Sequence, residues 1–277
     1  VICVGLYAIF FIFIYYFTTH INLSRKPSFP KCACGQIFIL DGIEEFLRNE
    51  TSCWNILAWR TLSYPFVENK GQWDQQIEYS VTLPSGNLFV EKNGFTYHLM
   101  DRSYFKSLHT LTPEAPPEFI QSHGLFVKFL ESNDGVEFKT EGVSEHYYNF
   151  LVGAPSSHAS FVRAYNKITY VNLYNGIDLD LYNTDYDYLK YDFIVSAGAD
   201  PSKIRASYEG ADGLYLKNGH LVIETSVTQI VEQAPMAYQH INGKKVEVPC
   251  KFKLKDGILS YRFPRGYDEN HELIIDP

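Results

Sequence analysis

Cysteine is scarce and badly placed for a disulfide framework. The 277 residues hold five, an odd number, and four of them (Cys3, Cys32, Cys34 and Cys53) crowd the first 53 positions. Cys32-Ala-Cys34 is one residue short of a C-x-x-C redox or zinc pair, and no second pair or histidine follows at ligand spacing. Cys250 stands alone in 66–277, inside the alternating run Val246 to Leu254, and reads as a core thiol. Clustered cations are also missing. With 24 Lys+Arg against 32 Asp+Glu, a net charge of −8 and no basic run, the composition argues against a nucleic-acid backbone or an anionic membrane surface as partner.

Catalytic signatures are equally thin. There is no phosphate-binding glycine loop and no G-x-G-x-x-G, and His271-Glu-Leu-Ile-Ile lacks the second histidine of a zinc helix. Gly142-Val-Ser-Glu-His146 is the nearest string to a nucleophile elbow, but its final glycine and following helix are absent. No amphipathic helix of ten or more residues stands out between 77 and 277, which argues against a parallel sheet built from βαβ units.

Apolar and aromatic residues, by contrast, are plentiful. At 45% hydrophobic and 16% aromatic, the chain can bury a large core in one domain or two small ones. Val1 to Phe17 carries no charge and would span about 26 Å as a helix, close to a bilayer's hydrocarbon thickness. It reads as a hydrophobic export signal or anchor, with a buried core helix and a start lying elsewhere as the alternatives. Residues 18–65 form a near-neutral linker of uncertain structure. The region 66–277 holds 19 basic and 28 acidic residues, so the negative charge belongs to this body.

The body reads as all-β. Short Val/Ile/Tyr/Phe/Thr-rich runs are separated by Asn-Gly at 93–94, 175–176, 218–219 and 242–243, and by Asp-Gly at 134–135, 212–213 and 256–257. Those dipeptides predict hairpin turns, because both central residues of a type I′ turn need positive φ. The flanking runs alternate, as in Leu88 and Val90, Phe95, Tyr97 and Leu99, or Ile177, Leu179 and Leu181 against Asp178 and Asp180. One face is then buried and the other wet. The expectation is an antiparallel β-sandwich-like fold, as one body or as two packed β modules dividing near residue 200, with Thr112 to Pro117 as a loop.

Several ordered motifs carry a family resemblance. Phe66-Val-Glu-Asn-Lys-Gly-Gln-Trp-Asp74 opens it, and Gly176-Ile-Asp-Leu-Asp-Leu-Tyr182, Leu189-Lys-Tyr-Asp-Phe-Ile-Val195 and Gly198-Ala-Asp-Pro-Ser202 form its centre. Ala234-Pro-Met-Ala-Tyr-Gln239, Ile241-Asn-Gly243 and Leu273-Ile-Ile-Asp-Pro277 close it. Together they resemble the N-terminal β-rich domain of bacterial secreted or cell-surface proteins that carry SBBP-type β-propeller repeats. PKD-like modules and type IX sorting tails often accompany it. The resemblance implies an exported, extracellular or outer-surface location, with downstream propeller or PKD-like modules as partners and membrane contact only through residues 1–17. It supplies no catalytic residues. Within these motifs, Asp200 before Pro201 is pushed to an extended conformation and can cap the turn that follows.

One stretch carries ligand chemistry. Asp178 and Asp180, two apart on a strand, point to one face, and with Asp185, Asp187 and Asp192 they offer hard oxygen ligands for Ca²⁺. A solvated acidic face that needs no cofactor is the plainer reading. Tyr186 and Tyr188 beside Asp185 and Asp187 can stack and hydrogen-bond sugar rings, which makes surface glycans the alternative partner. The functional expectation is a non-catalytic extracellular module, structural or adhesion-related. A glycan-binding module with a Ca²⁺ site at 178–192 is the alternative, and a glycosidase-like hydrolase with distant carboxylates the second.

Overall fold

A computed structural model describes residues 64–101, 120–184 and 189–277. The hydrophobic run 1–17, residues 18–63 of the linker, the loop 112–117 and residues Asp185, Tyr186, Asp187 and Tyr188 lie outside the described residues. Two units divide the chain. The described part of the first is Phe150–His158, which carries a 3₁₀ turn at Pro155–Ser157. The second, Thr61–Asn149 with Ala159–Pro277, is the β body.

Strands make up nearly all of the body's regular structure, and no α-helix occurs among the described residues. In chain order they are β1 (Phe66–Glu68), β2 (Ile77–Leu83), β3 (Gly86–Glu91), β4 (Gly94–Met100), β5 (Ser122–Phe129), β6 (Glu137–Val143), β7 (Tyr148–Phe150), β8 (Ala159–Val162), β9 (Ala164–Tyr174) and β10 (Ile177–Asn183). There follow β11 (Leu189–Val195), β12 (Arg205–Glu209), β13 (Gly213–Lys217), β14 (His220–Glu224), β15 (Gln229–Glu232), β16 (Met236–Ile241), β17 (Lys244–Val248), β18 (Lys251–Lys255), β19 (Ile258–Arg262) and β20 (Leu273–Asp276).

Every pairing among the described strands is antiparallel. The main sheet runs β17-β16-β20-β11-β10-β9-β1-β2-β3-β4-β5-β12-β19-β18, with β6 beside β9. Strands from before and after residue 200 interleave, since β12 pairs β5 and β20 pairs β11. β1 joins the β2–β5 side of this path to the β9–β11 side, with Phe66 opposite Tyr165 and Val67 opposite Ala164, and residues of the two sides pack against each other. Side chains of the two layers then face each other: Phe129 of β5 lies 6.3 Å from Phe193 of β11, and Phe193 lies 5.8 Å from Tyr261 of β19. The two ends of the path, β17 and β18, follow one another in sequence without pairing, so the sheet does not close into a barrel. The sandwich-like antiparallel fold expected from the alternation is the one observed.

Burial follows the period of two. Leu88 and Val90, Phe95 and Leu99, and Ile177, Leu179 and Leu181 are buried, with Asp178 and Asp180 on the opposite face. The edges carry Lys244 and Lys245 on β17 and Lys251, Lys253 and Lys255 on β18, charges that discourage pairing with another chain. Cys250 is a free, half-buried thiol packed against the core, and burial pushes it up to about 12.

The turn expectations hold only in part. Asn218-Gly219, Asn242-Gly243 and Asp256-Gly257 have positive φ at both residues and close hairpins. At Asn175-Gly176 only Gly176 is positive, and at 93–94 the turn sits one residue earlier, because Glu91 pairs with Gly94. Asp134-Gly135 and Asp212-Gly213 close no hairpin. Each lies between strands that pair elsewhere, β6 with β9 and β12 with β5 and β19. Core pairing decided these two connections against the local signal.

Asn69 explains the opening motif. Its Oδ1 accepts from the backbone N–H of Gly71 at 2.9 Å and Trp73 at 3.2 Å, while Nδ2 donates to the carbonyls of Asp74 and Ile77, both at 2.8 Å. Gly71, at φ +99°, gives the loop its left-handed step. One amide thus fastens the entry to β2. Replacing Asn69 by Ala is expected to lower the unfolding free energy by about 1–2 kcal/mol, as the bonds to the Ile77 carbonyl and the Trp73 N–H are partly buried while those to Asp74 and Gly71 lie exposed. Replacing it by Asp should cost a similar amount, because a carboxylate would face two carbonyls. Urea denaturation checks both.

Candidate functional site

Inside the sandwich a single carboxylate meets a group of tyrosines. The strand Gln229-Ile-Val-Glu232 turns Ile230 and Glu232 inward while Val231 stays exposed, as alternation requires. β15 belongs to a separate three-stranded sheet with β13 and β14, in which Glu232 pairs with Leu221. The Glu232 carboxylate accepts from Tyr191 Oη at 3.1 Å and from Tyr208 Oη at 3.5 Å. Tyr97 and Tyr261 line the same space, together with Phe95, Phe129 and Phe193. These groups come from β4, β5, β11, β12, β15 and β19.

The environment governs protonation. Burial pushes Glu232 from an ordinary 4.5 up to about 7, with the Tyr191 and Tyr208 hydrogen bonds pulling weakly the other way. Burial, and then the Glu232 charge, raises Tyr97, Tyr191, Tyr208 and Tyr261. Glu232 as a residue is only half-buried, because its backbone lies at the end of the small sheet, while its carboxylate is enclosed. The cavity beside it measures about 20 Å³, room for one water molecule. The arrangement can hold and release a proton, but it has no space for a substrate.

The acidic stretch read from the sequence lies on the outer face. Asp178 Oδ1 accepts from the Asn172 N–H at 2.7 Å, where β9 is kinked by a φ of +51° at Asn172. Asp180 pairs with Lys167 Nζ at 2.9 Å and accepts from Thr169 Oγ1 at 2.6 Å. Asp192 stands directly across from Asp180, a like-charge pairing that the sheet must relieve. Tyr182 Oη donates to Asp192 Oδ2 at 2.8 Å, Oδ1 is buried without a hydrogen-bond partner, and burial raises the carboxyl. Lys190 bridges to Asp276 at 2.6 Å. Asp178, Asp180 and Asp192 therefore share one face of neighbouring strands, and the first two are engaged with partners inside the sheet. Asp185, Tyr186, Asp187 and Tyr188 lie outside the described residues. Among the described residues no group of three or more His, Cys, Asp or Glu is arranged to hold a metal.

Three residues with definite roles carried no such reading in the sequence. Glu232 looked like one more strand-end acid. Its tyrosine partners are spread from 97 to 261, and only the fold unites them. Gln239, buried at 1% exposure, donates from Nε2 to the carbonyls of Asp268 at 2.7 Å and His271 at 3.1 Å, and accepts from the Asp268 N–H at 2.9 Å. It fixes the loop before β20, much as Asn69 fixes the loop before β2. The cap on Pro201–Lys203 is as expected: Asp200 is extended and accepts from the Ser202 N–H at 2.9 Å.

Fold and interior together define an antiparallel β-sandwich module with an enclosed acid. The chain belongs to the family described as "Domain of unknown function (DUF7948)", which matches residues 66–277. No curated protein and no solved structure matches the chain.

Two outcomes are expected from the carboxylates. Because the folded value of Glu232 is raised, its contribution to stability is fully present below pH 4.5 and is lost as pH rises through about 7. Replacing Glu232 by Gln should therefore raise stability at pH 8 by about 2–3 kcal/mol and leave it nearly unchanged at pH 4.5. Denaturant titrations of both proteins across pH 4.5–8.5 supply the difference. Replacing Asp192 by Asn should give a smaller gain of about 1 kcal/mol at neutral pH, since it removes a charge that burial disfavours and that stands opposite Asp180. That gain should fade as pH falls and the native Asp192 takes up its proton, which the same titrations would show.

Proposed function

We propose that residues 66–277 act as a non-catalytic β module of a larger exported bacterial protein, holding a fixed shape at the cell surface in support of adhesion or display. The observation that carries this reading is the interior of the sandwich. Its most perturbed acid, Glu232, is hydrogen-bonded to Tyr191 and Tyr208 beside a space of about 20 Å³, so the chemistry there serves the fold. Asn69, Gln239 and Asp200 likewise spend their polar atoms on fixing loops. The resemblance of the motifs to domains that precede SBBP-type propeller repeats supports the surface location. Downstream propeller or PKD-like modules are then its partners, and a type IX sorting tail its route out.

Two measurements test the reading. Thermal unfolding of the purified chain with EDTA and then with millimolar Ca²⁺, with and without soluble glycans, is expected to give one unchanged midpoint. A rise of several degrees would favour the glycan-binding alternative centred on 178–192, because a ligand that binds only the native state raises its stability. In the source cells, labelling with a membrane-impermeant amine reagent should tag the intact protein. A purely cytoplasmic pool would overturn the surface placement.

A further inference from the structure

The small sheet of β13, β14 and β15 shares no strand pairing with the main sheet. It is tied to the body in three other ways. Leu221 and Ile223 are buried in the common core, with Leu214 and Ile230 packed alongside. At the surface, His123 at the start of β5 donates from Nε2 to the Gly210 carbonyl at 2.7 Å, and its Nδ1 accepts from the Ser226 N–H at 3.2 Å. Inside, Glu232 is held by Tyr191 and Tyr208. The sheet leaves the body at Gly210, whose φ of +89° and close approach to the Gly124 carbonyl admit no side chain: a Cβ there would lie 2.5 Å from that oxygen.

We propose that this three-stranded sheet is a pH-gated flap, closed over the tyrosine-lined interior while Glu232 is protonated and released when its carboxylate ionises. The groups that face Glu232 are the phenols of Tyr97, Tyr191, Tyr208 and Tyr261, with the Cys250 thiol behind Tyr261. Among the described residues no facing group supplies a positive charge, so an ionised Glu232 in the closed state is offset there only by the Tyr191 and Tyr208 hydrogen bonds. Glu232 is the last residue of β15, at the flap's own end. Local opening therefore returns the carboxylate to water while the main sheet keeps its pairing, which costs less than unfolding the body.

The size of the effect follows from linkage. A carboxyl that titrates at 4.5 in the open state and about 7 in the closed state favours opening by up to tenfold per pH unit across that interval. Between pH 5 and pH 8 the open fraction is expected to rise roughly 100-fold.

Hydrogen exchange of the full chain, read by peptide mass spectrometry at pH 5, 6.5 and 8 and corrected for intrinsic amide chemistry, tests this directly. Peptides from 213–232 should lose protection steeply as pH rises, while peptides from β3 and β4 keep theirs. In Glu232→Gln the flap should stay equally protected at all three values. Ile230→Ala, which removes non-titrating packing of the small sheet against the core, should loosen the flap by the same factor at every pH and preserve the slope, separating weakened attachment from the gate itself. Parallel loss of protection in flap and body, a flap that opens equally at pH 5 and pH 8, or an unchanged slope in Glu232→Gln would each overturn the proposal.

Discussion

A buried tyrosine hydroxyl needs a partner, and the largely aliphatic and Phe-rich interior of this sandwich holds Tyr170, Tyr174 and Tyr261, with Tyr79, Tyr97, Tyr191 and Tyr208 packed against it. Tyr170 shows how the constraint is met. Its ring is fully buried between the layers, 4.5 Å from Phe138 and 6.1 Å from Phe129, and its hydroxyl reaches the carbonyls of Glu91 at 2.7 Å and Gly94 at 3.1 Å at the β3–β4 turn. That bond fixes how far β9 can slide against β3 and β4. Tyr174 does the same with the Arg205 carbonyl at 3.2 Å, tying β9 to the start of β12. Apolar packing alone tolerates small shifts between layers, whereas these phenols do not, because each shift would strand a polar atom in the core. Glu232 answers the same need elsewhere in the core, where Tyr191 and Tyr208 donate to a side chain instead of a backbone carbonyl.

The loops obey a parallel rule with amides in place of phenols. Asn69 and Gln239 each present a donor and an acceptor to a segment that has left the sheet, so backbone groups without ladder partners are satisfied by one side chain. On the outer face the equivalent problem is charge. Glu141, Lys167 and Asp180 alternate in sign across β6, β9 and β10, and Lys190 and Asp276 pair across β11 and β20. Asp192 falls between these pairs, opposite Asp180; burial raises its carboxyl, and the Asp276 and Asp180 charges add to the effect. Exposed pairs of this kind add little to stability. Their larger effect is on register, since a slip of one residue would turn this charged row toward the core and the buried Ile177, Leu179 and Leu181 toward solvent.

Much of this fold was legible because its signals are local. Alternation in Ile177–Leu181 fixed which face is buried, and three of the seven Gly-containing dipeptides closed hairpins with both residues at positive φ. Asp134-Gly135 and Asp212-Gly213 misled because a turn dipeptide states that the chain can reverse, while the strands on either side decide whether they pair. Asp200 was readable as a cap, since its partner lies two residues away. Asn69 and Gln239 appeared only as letters in motifs, as the groups they bind include loops up to 33 residues distant. The tyrosines around Glu232 were invisible as a set. No spacing links positions 97, 191, 208, 232 and 261, and a glutamate at a strand end carries the composition of a surface residue.

Why a sandwich should keep an acid where a phenylalanine or leucine would pack is best seen from the hydroxyls. Replace Glu232 by an apolar side chain and the oxygens of Tyr191 and Tyr208 lose their acceptor inside a space that admits one water. Replace the tyrosines as well and the body loses the polar contact by which it holds β15 from within, since among the described strands β15 pairs with β14 alone. An acid that titrates near neutrality is thus the consequence of closing a core with phenols and attaching a separate sheet to it. The carboxylate satisfies the hydroxyls in either protonation state, but only the neutral form does so without an unpaired charge, and this asymmetry makes the attachment of the small sheet depend on the proton.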